Sequence, residues 1–106
     1  MPATAQMTFR ALADPTRRDI LKMLARQEMT IADVLGHFDM TRAAVKKHLT
    51  MLSDGGLITV ETRGRTRVNR IDPSGFAPVL SWLEYFDTFW DDRLSALKSA
   101  IEKDIT

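Results

Sequence analysis

Apolar positions recur along this chain first at helical spacing, then at strand spacing, then at helical spacing again. Met7, Phe9, Ala11, Leu12 and Ala13 predict a short helix in the first thirteen residues. Asp14-Pro15-Thr16 predicts a junction, with Asp14 as the cap and Pro15 at the first helical position. Ile20, Leu21, Leu24 and Ala25 form the stripe of a second helix ending near Gln27. Arg17 and Arg18 fall in its first turn, where cations oppose the helix dipole, so a compensating carboxylate or phosphate is expected, the carboxylate first. Thr30-Ile31-Ala32-Asp33 resembles a capping box with Asp in place of Glu. Ile31, Val34, Leu35 and Phe38 then predict a helix of about two turns. Asp39-Met40 reads as a tight connection, and Thr41 caps a further helix running to Asp54.

That further helix is sharply divided. Val45, Leu49 and Leu52 fall on one stripe, while Arg42, Ala43, Lys46, Lys47 and Thr50 fall on the other side. Gly55-Gly56 stops it. Leu57 to Thr62 and Thr66 to Ile71 are rich in β-branched residues and predict two strands joined by a turn at Arg63-Gly64-Arg65. After Asp72-Pro73-Ser74-Gly75, the apolar positions Trp82, Phe86, Phe89, Trp90, Leu94, Leu97 and Ile101 predict a long helix over about 74–104. A helix from Pro78 to Lys103 would run roughly 39 Å, more than a domain of this size needs to close its own core. Trp82, Phe86, Phe89, Trp90, Leu94 and Leu97 are therefore expected partly at an interface with a second copy, with burial inside one chain as the alternative.

Charge changes the picture more than composition does. The 106 residues are 44% hydrophobic and 27% charged, as expected of one globular domain, and the net charge is only +1. Residues 41–70 nevertheless carry seven basic side chains against Asp54 and Glu61, while residues 71–106 carry three against seven acids. A local basic field thus sits beside an acidic tail. Two short helices, the second basic outside and apolar inside, followed by an arginine-bearing hairpin, make the pattern of a winged helix-turn-helix. The plainer reading is a solvated helix face and a hairpin whose arginines prevent edge pairing. The expected architecture is mainly α with a β-hairpin wing, in the order α-α-α-α-β-β-α. It forms a single domain, with the helix-turn-helix at 30–55 and the wing at 57–71.

With no cysteine, disulfides, thiolate metal sites and thiol redox switches are excluded. No apolar run approaches the roughly 18 residues of a membrane span, and no signal-peptide core is visible, so a soluble cytoplasmic protein is expected. His37 and His48 lie eleven residues apart and form neither a catalytic dyad nor a convincing metal pair. His37 reads as structural, and His48 as either a boundary residue against the core or a phosphate contact. The six methionines read as core filler and a start residue. No enzyme, cofactor or metal is expected.

A family resemblance sharpens this. Phe9-Arg10-Ala11-Leu12-Ala13-Asp14-Pro15-Thr16-Arg17-Arg18-Asp19-Ile20-Leu21 resembles the opening signature of the ArsR/SmtB winged-helix repressors. Ala44-Val45-Lys46-Lys47-His48-Leu49, then Leu52-Ser53-Asp54-Gly55-Gly56-Leu57-Ile58, resembles that family's recognition helix and its exit. The resemblance implies a homodimer joined through its first and last helices, which adds Phe9 to the expected interface, repressing transcription from a palindromic promoter site. Its thiolate metal motif would fall where this chain has Thr30 and Ala32, and its other metal site needs a histidine, absent here after His48. The chain is therefore closest to the metal-independent, autorepressor-like members. Arg42 and Lys46 are the expected base-edge contacts, with Ala43 and Thr50 beside them in the major groove of double-stranded DNA. Thr41, Lys47, Arg63, Arg65 and Arg67 are expected on phosphates. The alternative is a winged helix that docks a different protein through its aromatic last helix.

Overall fold

The computed structural model describes residues 2–87 and 95–105. Helices α1 (Ala5–Leu12) and α2 (Pro15–Arg26) lead into a two-residue strand β1 (Met29–Thr30), then α3 (Ile31–Leu35) and α4 (Arg42–Asp54). Strands β2 (Ile58–Arg63) and β3 (Thr66–Ile71) follow, then a 3-10 turn (Pro73–Phe76), α5 (Ala77–Glu84) and α6 (Ser95–Ile105). No helix among the described residues is long and apolar enough to cross a membrane.

Local chemistry sets most of these boundaries. Thr4, Asp14, Thr30 and Thr41 each accept a backbone N–H at the start of α1, α2, α3 and α4. At α3 the box is reciprocal: Thr30 Oγ1 accepts from Asp33 N (3.1 Å) while Asp33 Oδ2 accepts from Thr30 N (3.0 Å). Asp72 caps the 3-10 turn through Ser74 N. The hairpin closes on Arg63↔Thr66 with Gly64 at φ 62°, so glycine takes the positive-φ position of a two-residue turn. Gly75 permits a close approach, since a Cβ there would lie 1.7 Å from Gly56 O.

The predicted stripes meet in one core. Ile20, Leu21 and Leu24 of α2, Val34 of α3, and Val45, Leu49 and Leu52 of α4 are buried together with Ala11, Met29, Leu57 and Ile58. Ile31, Leu35 and Phe38 pack partly against them, whereas Ala25 is exposed. Fully burying a side chain such as Leu52 or Ile20 contributes about 2 kcal/mol each.

The structure departs from the sequence expectations in four places. The sheet has three strands in the order β1-β3-β2, because Met29 and Thr30 pair with Asn69 and Val68. Two residues are too few to display a strand period. Helix α3 has five residues, short of the two turns predicted; His37 N and Phe38 N bond back to Val34 O and Leu35 O in tight turns that bring Phe38 to the core. The single helix predicted over 74–104 is interrupted: α5 ends at Glu84, and Phe86 N bonds to Leu83 O in a tighter turn. Glu84 and Asp87 place negative charge at the C-terminal end of α5, which opposes the dipole, and Tyr85 and Phe86 are weak helix formers. Finally, the cations at the start of α2 have the Asp14 carboxylate nearby, as expected, but their guanidinium hydrogen bonds go to backbone carbonyls. Arg17 Nε donates to Ala11 O (2.8 Å), Arg17 Nη2 to Arg10 O (3.0 Å) and Arg18 Nη1 to Leu12 O (2.8 Å). The carbonyls at the end of α1 accept them, Arg10 O in addition to the N–H of Ala13, and the negative end of one dipole offsets cations at the positive end of the next.

Candidate nucleic-acid interface

Helix α4 is held rigidly from behind. Thr8 of α1, 1% exposed, donates through Oγ1 to Gly55 O (2.8 Å). Arg17, 9% exposed, brings Nη1 to 3.4 Å from His48 Nδ1. Asp14 Oδ2 lies 4.0 Å from the same ring nitrogen. Asp14 is held below the usual carboxylate range, first by the backbone N–H of Arg17 that it accepts and then by the nearby charge of Arg17 and His48. His48 is half-buried at the edge of the core, as the boundary reading expects.

The other side of α4 is open. Arg42, Ala43, Lys46, Lys47 and Thr50 are exposed, while Val45, Leu49 and Leu52 are buried. Thr41 spends its acceptor on Ala44 N (3.1 Å) and keeps its O–H free to donate. Among the described residues, Arg42, Lys46 and Lys47 form no ion pair. Arg42, Lys46 and Thr50, four residues apart along one row, line a groove of about 370 Å³ whose opposite wall includes Val60, Arg67 and Asn69. Ala43 and Lys47 form the neighbouring row. Asn69 is buried and donates through Nδ2 to Met29 O (3.2 Å), tying β1 to β3 beside the groove. Nothing in its local sequence marks that role.

The wing divides its arginines. Cross-strand register places Glu61, Arg63 and Arg70 on one face of the sheet, and Val60 and Arg67 on the face toward α4. Arg65 sits at the exposed tip without an ion pair among the described residues, as does Arg67. Arg63 differs. Its guanidinium grips Glu28 with both terminal nitrogens and also bonds Glu61 Oε2 (2.9 Å). Hydrogen bonding to Arg63 holds the Glu28 carboxyl below its usual range, and the two carboxylates push the Arg63 guanidinium up. The structure therefore brings together Arg42, Lys46, Thr50 and Arg67 from the predicted set, and separates Arg63 from them.

A second surface is apolar. Phe9 of α1 meets Trp82 of α5 edge-on at 6.0 Å between ring centres; Trp82 meets Phe86 at 5.3 Å, and Phe86 meets Tyr85 at 5.1 Å. Trp82 remains 55% exposed and Tyr85 76%, and Leu80, Leu83, Leu97 and Ile101 are also open to solvent. Phe89, Trp90 and Leu94 lie outside the described residues. The start of α3, where Thr30 and Ala32 stand, is closed by the capping box. Among the described residues no group of three or more His, Asp or Glu side chains is placed to hold a metal ion.

Comparison with known proteins agrees with this geometry. Residues 12–61 match the helix-turn-helix domain family. The HTH-type transcriptional regulator Rv2034 of Mycobacterium tuberculosis is 31% identical over 91% of this chain and 87% of its own length. The transcriptional repressor SdpR of Bacillus subtilis is 28% identical over 81% of this chain and 96% of its own. Among solved structures, the ArsR family transcriptional regulator RHA00566 superposes with a TM-score of 0.74 at 36% identity, covering 83% of this chain and 97% of that one. A homodimeric winged helix-turn-helix DNA-binding domain from Mycobacterium bovis, Mb0332, superposes with a TM-score of 0.63 at 23% identity, covering 78% and 77%, a likeness of fold. With its divided fourth helix, its wing and these relatives, the chain belongs to the ArsR family of winged helix-turn-helix transcriptional regulators.

Proposed function

We propose that the protein is a homodimeric repressor that binds a palindromic promoter site without a cysteine-based metal sensor. The observation that carries this is the exposed face of α4. Three cations stand there without an ion pair among the described residues, and two of them, Arg42 and Lys46, line an open groove across from Arg67. Arg42 and Lys46 face base edges in the major groove, where guanine offers two acceptors, and Ala43 and Thr50 fill the space beside them. Lys47, Thr41, Arg65 and Arg67 bind phosphates and set the register. The ladder from Phe9 to Phe86, with Leu97, supplies an apolar face for a second copy. Two copies then present their recognition helices about 34–36 Å apart, one turn of DNA. The repressor name of SdpR and the homodimeric state of the Mycobacterium bovis domain support the output and the assembly. Thr30 and Ala32 at the start of α3 support metal independence, since neither is a soft ligand. Such a protein works where its promoter is, in the cytoplasm.

The test is a footprint on the DNA upstream of its own gene, with and without divalent metal ions, beside sedimentation of the free protein. A dimer that protects one symmetric site equally in both conditions is expected. A monomer, or a dimer that prefers no promoter fragment over competitor DNA at ordinary ionic strength, would overturn the proposal. Release by metal would overturn its metal-independent part.

A further inference from the structure

We propose that Glu28 is a positioning residue for DNA binding: it moors the wing through Arg63, and Arg63 holds the hairpin in place instead of contacting phosphate. The inference rests on the DNA-binding reading above and deepens it. Its starting point is how little else holds the outer hairpin. From Glu61 to Arg67 every residue is exposed, so no core contact fixes that part of the wing. There the backbone ladder joins β2 only to β3, and the pairing with β1 stops at Val68, inward of these residues. Glu28 lies outside the hairpin, between α2 and β1, immediately before the strand that pairs with the far edge of β3. The Glu28–Arg63 bond therefore spans the sheet from one edge strand to the other. It grips by two nitrogens, and a forked guanidinium on a carboxylate fixes direction as well as distance.

The bond can do little for overall stability, because both side chains are about two-fifths exposed. It also does little for the field at the DNA. Glu28 and Glu61 balance Arg63 and Arg70 on the sheet face turned away from the groove. What remains is geometry. Arg67 and the tip residue Arg65 reach a phosphate only if the hairpin holds its angle to α4, and the tie at Arg63 lies one residue from the turn.

The experiment uses the full chain and the footprinted site. Affinity and its salt dependence are measured for wild type, Glu28→Gln, Arg63→Gln, the double variant and the exchanged pair Glu28→Arg with Arg63→Glu. Each single variant is expected to weaken binding about fivefold, the double variant no further, and the exchanged pair to recover to within about twofold. The salt slope should stay within about half a unit of wild type, because no phosphate contact is lost. A slope lowered by about one unit in Arg63→Gln, with tighter binding in Glu28→Gln, would show instead that Arg63 binds phosphate and Glu28 masks it. Unchanged affinity in both single variants would also overturn the proposal. Amide exchange in the free protein separates this from the parent reading: Thr62 to Arg67 should exchange faster in Glu28→Gln. Unchanged exchange there refutes the mooring even if the protein binds its operator. Absence of operator binding by wild type refutes the DNA reading and the DNA part of this one, whatever the exchange shows.

Discussion

Arg17 and Lys46 adjoin different sides of the same helix, α4, and meet opposite surroundings. Arg17 is enclosed where α1, α2 and α4 meet, and every group it touches belongs to the chain: two carbonyls at the end of α1 and the ring of His48. Lys46 faces an open groove and forms no ion pair among the described residues. One cation fixes the frame and the other faces solvent. The wing repeats the contrast within a few residues, where Arg63 is held by Glu28 and Glu61 while Arg65 and Arg67 are unpaired among the described residues. A count of basic side chains cannot make this distinction. The partner of each cation makes it.

Arg17→Met should break the enclosed side most severely. Removing a buried guanidinium leaves the carbonyl of Ala11 without its side-chain donor and Arg10 O with only the N–H of Ala13, so a loss of about 2 kcal/mol of stability is expected in urea unfolding. A loss under about 1 kcal/mol would mean that water replaces those bonds. Lys46→Ala should sharpen the open side. Stability should stay within about 0.5 kcal/mol, while discrimination at one base pair falls by about 2 kcal/mol in competition binding. Equal loss on random DNA would make Lys46 a phosphate contact.

Asp14 lies between these extremes, since it caps α2 and stands beside Arg17 and His48. Asp14→Ala should cost about 1 kcal/mol at neutral pH. The folded pKa is depressed, so the charge-dependent contribution is complete above the ordinary carboxylate value and fades as pH falls through the lowered one. Asp14→Asn keeps the cap without the charge and should lose only that pH-dependent part, read from unfolding curves at pH about 7 and about 3. The smallest effect is expected at the wing tip. Arg65→Gln should leave the fold unchanged and lower the salt slope by about one unit on every DNA sequence. An unchanged slope would take the tip out of the interface.

The stripes and caps were legible because they depend on neighbours a few positions away. Val45, Leu49 and Leu52 turned inward as their spacing required, and Thr30 and Asp33 closed the box read from four residues. The exposed row of Arg42, Ala43, Lys46, Lys47 and Thr50 followed from the same period. Strand β1 was not legible, since Met29 and Thr30 become a strand only by pairing with β3, forty residues on. The break after Glu84 was hidden by an aromatic pattern that keeps helical spacing across it.

By itself the sequence determined the first four helices and the hairpin that follows them, the inward and outward faces of α4, and a basic middle beside an acidic tail, all set by residues close together along the chain. Only the tertiary structure decided which charges are already satisfied. Arg17 meets His48, Thr8 meets Gly55 and Arg63 meets Glu28 across separations of 31, 47 and 35 residues. Such contacts have no periodicity to reveal them. They arise when the packed core brings distant segments within hydrogen-bonding reach, and they leave the cations of α4 and the wing tip facing outward.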